Sequence, residues 1–219
     1  MNLRVVSLGL LFVGAVAGTG FAVASCSSVS EQRIGVYAPP FSTSSFEPVG
    51  NFLLHRCGTL DCHGQSGRNF RVWGCDGMRL ESEQASTCTP DPAGGGPTTV
   101  DEYESTYRSL VALEPQLMSA VFLGCDGQTG PDGGAAYPPG ASCHPEYLTF
   151  VRKARGTEAH KGGQLICVEP PCPPGVPNPD PYDPQDVCIV SWLENETDHA
   201  ACGKALTIPV FPSADAAAP

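Results

Sequence analysis

Two cysteines five positions apart, followed at once by a histidine and a glycine, constrain this chain more than any other feature: Cys57-Gly58-Thr59-Leu60-Asp61-Cys62-His63-Gly64. The stretch carries two thiols and an imidazole within eight residues. Paired cysteines directly before a histidine are the layout that holds a c-type haem, with thioether bonds from the thiols to the porphyrin edge and the imidazole as the iron's fifth ligand. The gap of four residues is wider than the usual two. The plain alternative is a disulfide, or two structural cysteines beside a surface histidine. A zinc site built from Cys57, Cys62, His63 and another cysteine is a third reading, since thiolate and imidazole suit zinc. Against zinc, no second cysteine pair has finger spacing.

The N-terminus points to export. Arg4 precedes an almost wholly apolar run over 5–23, the pattern of a signal peptide. The run also has about the length of a membrane span, so a retained anchor helix is the alternative. Val23-Ala24-Ser25-Cys26 resembles the lipobox of bacterial lipoproteins. That resemblance implies cleavage before Cys26 and lipidation of Cys26, which anchors the protein to a membrane because several acyl chains hold where one does not. Ser27 after the cysteine leans toward the outer membrane. The expected order is a lipoprotein signal peptide over 1–25, a flexible tether over 26–47, one domain over 48–203 and a disordered tail over 204–219. The expected location is the bacterial cell envelope. The net charge is −11 with 23 acidic residues, all beyond the leader. An acidic chain without a basic stripe excludes nucleic-acid binding.

The cysteines can be counted out. There are 11; lipidation takes Cys26, and haem attachment takes Cys57 and Cys62. The remaining eight are Cys75, Cys88, Cys125, Cys143, Cys167, Cys172, Cys188 and Cys202, and an oxidising compartment makes them disulfides. Proximity pairs them 75–88, 125–143, 167–172 and 188–202. Five bridges without haem fit the same parity, so the count does not choose between the two.

The 25 glycines and 22 prolines predict long loops between short helices. Val49, Phe52 and Leu53 share a helical face after Pro48 and lead into the cysteine motif. Residues 70–74 read as extended. Thr99-Val100-Asp101-Glu102 matches a capping box, and Tyr103, Tyr107, Leu110 and Val111 follow at helical spacing, so a helix is expected over 100–112. Glu114-Pro115 opens a second short helix with Leu117, Met118, Val121 and Phe122. Pro145 opens another, through Leu148 and Val151, ending near Gly156. Asp183-Pro184 caps the last expected helix, whose apolar face is Cys188, Ile189, Trp192 and Leu193.

In that order the parts resemble a class I cytochrome c domain, and more closely the cytochrome-c-like lipoproteins of myxobacterial and planctomycete type, which carry a widened Cys-x4-Cys-His-Gly motif. The matching pieces are 56–64, Leu148-Thr149-Phe150-Val151-Arg152-Lys153-Ala154-Arg155-Gly156, His160-Lys161-Gly162-Gly163 and Cys188-Ile189-Val190-Ser191-Trp192-Leu193. The resemblance implies a mainly α, cytochrome-c-like domain with long Pro/Gly-rich, disulfide-tied loops and one covalent haem c. It places the distal iron ligand in the loop before the closing helix. Where class I cytochromes have Met-Pro, this chain has His160 followed by two glycines, which let the backbone pass close to a flat cofactor. His160 is therefore the expected sixth ligand beside His63, with Met118 as the alternative. Met118 sits on an apolar helix face, where methionine packs the core. His55, His144 and His199 have no ligand context. Phe52, Leu53, Trp192 and Leu193 are expected to wall the cofactor from water.

The resulting expectation is an electron carrier rather than a catalyst, anchored by lipid and serving an unidentified redox partner. The rival is a cofactor-free, disulfide-stapled surface lipoprotein that acts as a binding module. Hydrolase chemistry has no support: no serine stands in a nucleophile elbow. The glycine runs lie in proline-rich loops and not at strand-to-helix turns, so they do not cradle phosphate.

Overall fold

The computed structural model describes residues 35–81, 88, 96–124, 143–167 and 182–208. The chain divides into Met1–Gly35 and Val36–Pro219, and all elements described belong to the second unit. The signal sequence, Cys26, Cys125, Cys172 and the chain beyond 208 lie outside the described residues. The architecture is mainly α. Among the described residues the β pairing consists of one isolated bridge, between Trp73 and Met78, where the sequence suggests an extended stretch. No helix among them is long and apolar enough to cross a membrane.

Helix α1 is Thr43–Cys57, capped by the Ser42 hydroxyl, which accepts from the Ser45 N–H at 3.1 Å. The sequence reading started this helix after Pro48. The serine cap starts it earlier and leaves Pro48 inside the helix. Phe46 is 0% exposed as a result. The chain ahead of it is also tied down: the Tyr37 N–H donates to Ser119 Oγ at 2.8 Å, and the Tyr107 hydroxyl donates to the Pro39 carbonyl at 2.9 Å. The folded part therefore begins about ten residues before the end of the expected tether at 47.

Helix α2, Val100–Val111, has the capping box read from sequence: the Glu102 N–H donates to Thr99 Oγ1, and the Glu102 carboxylate accepts from the Thr99 N–H. The same carboxylate takes Arg79 Nε at 2.7 Å, a pair whose side chains are 3% and 1% exposed. One residue thus starts α2 and neutralises the cation of the preceding loop. Helix α3 is Pro115–Leu123. The helix expected to run on from Pro145 is broken in two, a 3₁₀ turn at Pro145–Tyr147 and α4 at Thr149–Ala154. The cause is Glu114, whose carboxylate accepts from the Thr149 N–H at 2.6 Å and the Thr149 hydroxyl at 2.7 Å. It supplies from a distant position the acceptor that a cap normally supplies locally.

Helix α5 is Pro184–Leu193, capped by Asp183 onto the Gln185 N–H as expected. It is not the last helix. Asp198 caps a further one, α6 at His199–Thr207, by accepting from the Ala201 N–H at 2.9 Å. Its first residues were read as the end of the domain and its last as tail. Its buried face, Ala201, Cys202 and Ala205, is short and made of small residues, a weak periodic signal.

Helix α1 packs on α2, α5 and α6. At their junction the Phe46 ring meets Trp192 edge-on at 5.3 Å and Tyr107 at 5.4 Å. The Cys188–Cys202 disulfide joins α5 to α6, and Cys75–Cys88 staples the loop before α2. Both are pairs expected from proximity. Cys143 and Cys167 are disulfide-bonded too, with partners outside the described residues.

Candidate cofactor site

The last turn of α1 carries Cys57, and the chain leaves it through Gly58, whose N–H returns to the Leu54 carbonyl at 3.0 Å. The motif then folds as a knot of backbone bonds. The Cys62 and Gly64 N–H groups donate to the Thr59 carbonyl, at 2.9 and 3.0 Å, and the His63 N–H donates to the Cys57 carbonyl at 2.9 Å. Gly64 is required here on steric grounds: a Cβ at this position would stand 2.0 Å from the Gly58 carbonyl oxygen. Arg68 holds the outside of the turn, donating to the Cys62 carbonyl at 3.0 Å and the Asp61 carbonyl at 3.3 Å.

Cys57 and Cys62 are the two free thiols among the described residues; every other described cysteine is in a disulfide. Burial pushes the Cys57 thiol up to about 12, opposed by the positive charge of Arg56. His63 is pinned by a hydrogen bond from its Nδ1 to the Phe70 carbonyl at 2.9 Å, with the Phe70 ring 4.9 Å away. A carbonyl only accepts, so Nδ1 bears the hydrogen and Nε2 presents its lone pair. Burial lowers the pKa of His63 and keeps the imidazole neutral, the form that binds a metal.

Beside this imidazole lies a cavity of about 550 Å³. Its apolar walls are Phe52 and Leu53 of α1, Phe150 of α4, Leu165 and Ile166 after α4, and Ile189 of α5. Cys57, His63 and His160 also line it. Cys62 is not among the lining residues and sits partly exposed in the turn. Arg68 and Lys153 are the cations on its wall.

His160 comes from a loop that leaves the end of α4 and returns to it. Glycines at positive φ lie at both ends, Gly156 (φ 74°) and Gly163 (φ 73°). The Leu165 and Ile166 N–H groups close the loop on the Ala154 carbonyl, each at 2.9 Å. A Cβ on Gly162 would meet the His160 ring at 3.0 Å, so the bare glycine is what lets the ring lie over the backbone. His160 Nδ1 faces the Gly163 carbonyl at 3.4 Å, again leaving Nε2 as the acceptor nitrogen. The rings of His63 and His160 are inclined by only 19° and their centroids are 6.0 Å apart. That is too far for ring-on-ring contact. Both rings line the same cavity, close enough for one bound group to meet both.

The site brings together Cys57, His63 and His160. It does not include Met118, which is 1% exposed inside α3 and absent from the cavity wall. His55, His144 and His199 do not line the cavity. Of the expected apolar wall, Phe52 and Leu53 are present, whereas Trp192 and Leu193 are buried in the core between the helices and Ile189 takes their place. Sequence reasoning missed the Phe70 carbonyl, Arg68 and the salt bridge between Arg155 and Asp186, whose two contacts of 2.7 Å fix α4 to α5 across the cavity. None has a local sequence signal, because each partner is set by folding. Comparison with known proteins finds no matching family model, no matching curated sequence and no matching solved structure.

Proposed function

We propose that this chain is a monohaem c-type, cytochrome-c-like electron carrier, held at the bacterial envelope by a lipid on Cys26 and exchanging single electrons with a redox partner. The reading rests on one observation: two imidazoles with their Nδ1 atoms engaged by backbone carbonyls line one largely apolar cavity, their centroids 6.0 Å apart, beside an unpaired cysteine. The donor set fits the cofactor. Bound there, haem supplies an iron that changes oxidation state by one electron.

The chain's own residues do the rest. Cys57 and Cys62 serve as the two thioether positions. His63 is the proximal base, oriented by the Phe70 carbonyl, and such a bond raises the basicity of the ligating nitrogen. His160 is the distal base. Two imidazoles hold the iron at a lower potential than an imidazole and a thioether, because a methionine ligand raises it. The apolar walls would cover much of the bound group's surface. Arg68 and Lys153, both on the cavity wall, would offer positive charge to the cofactor's carboxylates.

Two features weigh against the rivals. A cofactor-free stapled module has no use for two thiols left unpaired while every other described cysteine is bonded. A lone zinc ion needs four close ligands and not an apolar hollow of about 550 Å³. The deciding measurement is the visible spectrum of mature protein made alongside a haem-attachment system. The expected result is a Soret band that stays with the chain after denaturation, and a changed band in His63→Ala. Colourless protein with Cys57 joined to Cys62 overturns the proposal.

A further inference from the structure

The structure assigns to Arg152 the role of a latch that sets where His160 stands, and so decides whether the sixth position of the iron is closed or open to an outside ligand. This inference rests on the haem reading above.

The loop carrying His160 has little core of its own. Thr157, Ala159, Lys161 and Gly163 are exposed, Glu158, His160 and Gly162 are half-buried, and the two ends converge on Ala154. Between those ends, the loop is held to the helix by Arg152. Its backbone carbonyl accepts from the Thr157 N–H at 3.0 Å, the Glu158 N–H at 3.4 Å and the Thr157 hydroxyl at 3.2 Å. Its guanidinium donates to the Glu158 carboxylate at 3.0 Å, with Lys153 on the other carboxylate oxygen at 3.6 Å. The far side of the guanidinium is itself anchored, to the Tyr147 carbonyl and to Thr149 Oγ1 at 2.8 Å. Thr149 is in turn held by Glu114, a wall residue of the cavity. An unbroken chain of bonds therefore runs from the cavity wall through Arg152 to Glu158, two residues short of His160.

The contrast with His63 gives the latch its meaning. His63 is fixed by the Gly58–Gly64 packing and a 2.9 Å bond to Phe70. His160 has a 3.4 Å bond within its own loop. The proximal ligand is built into the fold, whereas the distal one is as secure as the loop that carries it. A loop that detaches takes the sixth ligand with it and leaves the iron able to bind a small diatomic or anionic ligand. Arg152 is thus a positioning residue, acting through Glu158 and His160.

The test uses the haem-loaded full chain. Cyanide entry into the ferric protein and carbon monoxide entry into the ferrous protein are measured by stopped flow, beside the resting spectrum. Arg152→Gln keeps the stem and loses the charged fork; Glu158→Gln removes only the charge on the loop side. Both are expected to speed ligand entry severalfold, a modest gain because the Arg152–Glu158 pair is about one-third exposed, with the helical circular dichroism unchanged. The double variant is expected to add little to Arg152→Gln, which already removes the Glu158 contact along with those to Tyr147 and Thr149. In a His160→Ala background, which has no sixth ligand to release, Arg152→Gln is expected to have no effect. Entry rates unchanged in both single variants, or an equal acceleration by Arg152→Gln in the His160→Ala background, overturn the latch while the haem reading stands. A wild-type protein that is coloured but already five-coordinate overturns it as well. Colourless wild-type protein sinks both. If Arg152→Gln fails to fold, the surface change Glu158→Gln carries the test alone.

Discussion

The two free thiols sit five residues apart in sequence and in different surroundings. Cys57 ends a helix against the cavity, and Cys62 stands partly exposed in a turn. Thiolate and not thiol is the nucleophile, so burial makes Cys57 slow to react. Burial pushes the Cys57 thiol up to about 12, so less of it is thiolate at pH 8 than in the free side chain. In haem-free protein, iodoacetamide at pH 8 should therefore label Cys57 more slowly in the folded chain than in urea, read by peptide mass spectrometry over time. Equal labelling of folded and unfolded protein would show that Cys57 is not shielded by the fold. The same shift carries a sign for stability. The folded state holds the neutral thiol, so its contribution is complete below pH 9 and is lost as the pH rises toward 12. The motif thus reads from sequence as two equivalent cysteines, while the fold makes them unequal.

Helix starts follow the chemistry of single residues, and most were legible in the sequence. Thr99 with Glu102, and Asp183 with Pro184, mark the first turns of α2 and α5 as a local cap should. The exceptions have tertiary causes. Helix α4 begins at Thr149 because Glu114 reaches it from another element, and no local rule contains that contact. Glu102 shows the reverse: its cap was visible and its second partner was not. Arg79 and Glu102 are almost wholly buried, so Glu102→Ala removes a charged contact of 2.7 Å together with the cap of α2. The variant is expected to cost about 2–4 kcal/mol, about 1 kcal/mol from the cap and the rest from the lost charge-assisted hydrogen bond. The check is the urea midpoint at unchanged slope. A loss below about 1 kcal/mol would mean that the contact with Arg79 adds nothing beyond the cap.

At the scale of the whole molecule, the helices close around a hollow instead of filling it. Phe52 and Leu53, Phe150, Leu165 and Ile166, and Ile189 come from four parts of the chain and face one space of about 550 Å³. An open, largely apolar cleft of this size leaves its apolar walls exposed to water. Filling it with a covalently held, flat, apolar group removes that exposure. Haem-free protein should then melt at least ~10 °C below the loaded form, since several kcal/mol correspond to that shift in a chain of this length. Scanning calorimetry of the two forms is the measurement, and coincident melting temperatures would mean that the hollow collapses at no cost. The disulfides bound the same architecture from outside, with Cys188–Cys202 tying α6 to α5 and Cys75–Cys88 closing the loop ahead of α2.

The sequence by itself determined the donor types, the mainly helical class, the caps of α2 and α5, and two of the cysteine pairs, because each depends on neighbours within about fifteen residues. Only the tertiary structure decided which histidine faces His63. Six centroid-to-centroid ångströms between residues 97 positions apart come from α4, its returning loop and the Arg155–Asp186 bridge. It also left Trp192 out of the cavity wall and brought Ile189 to it, while Met118 packs the core as its apolar helix face suggests. The physical reason is that a helical face names what is buried but not what it is buried against. That choice belongs to the packing of distant elements, which no local pattern of side chains encodes.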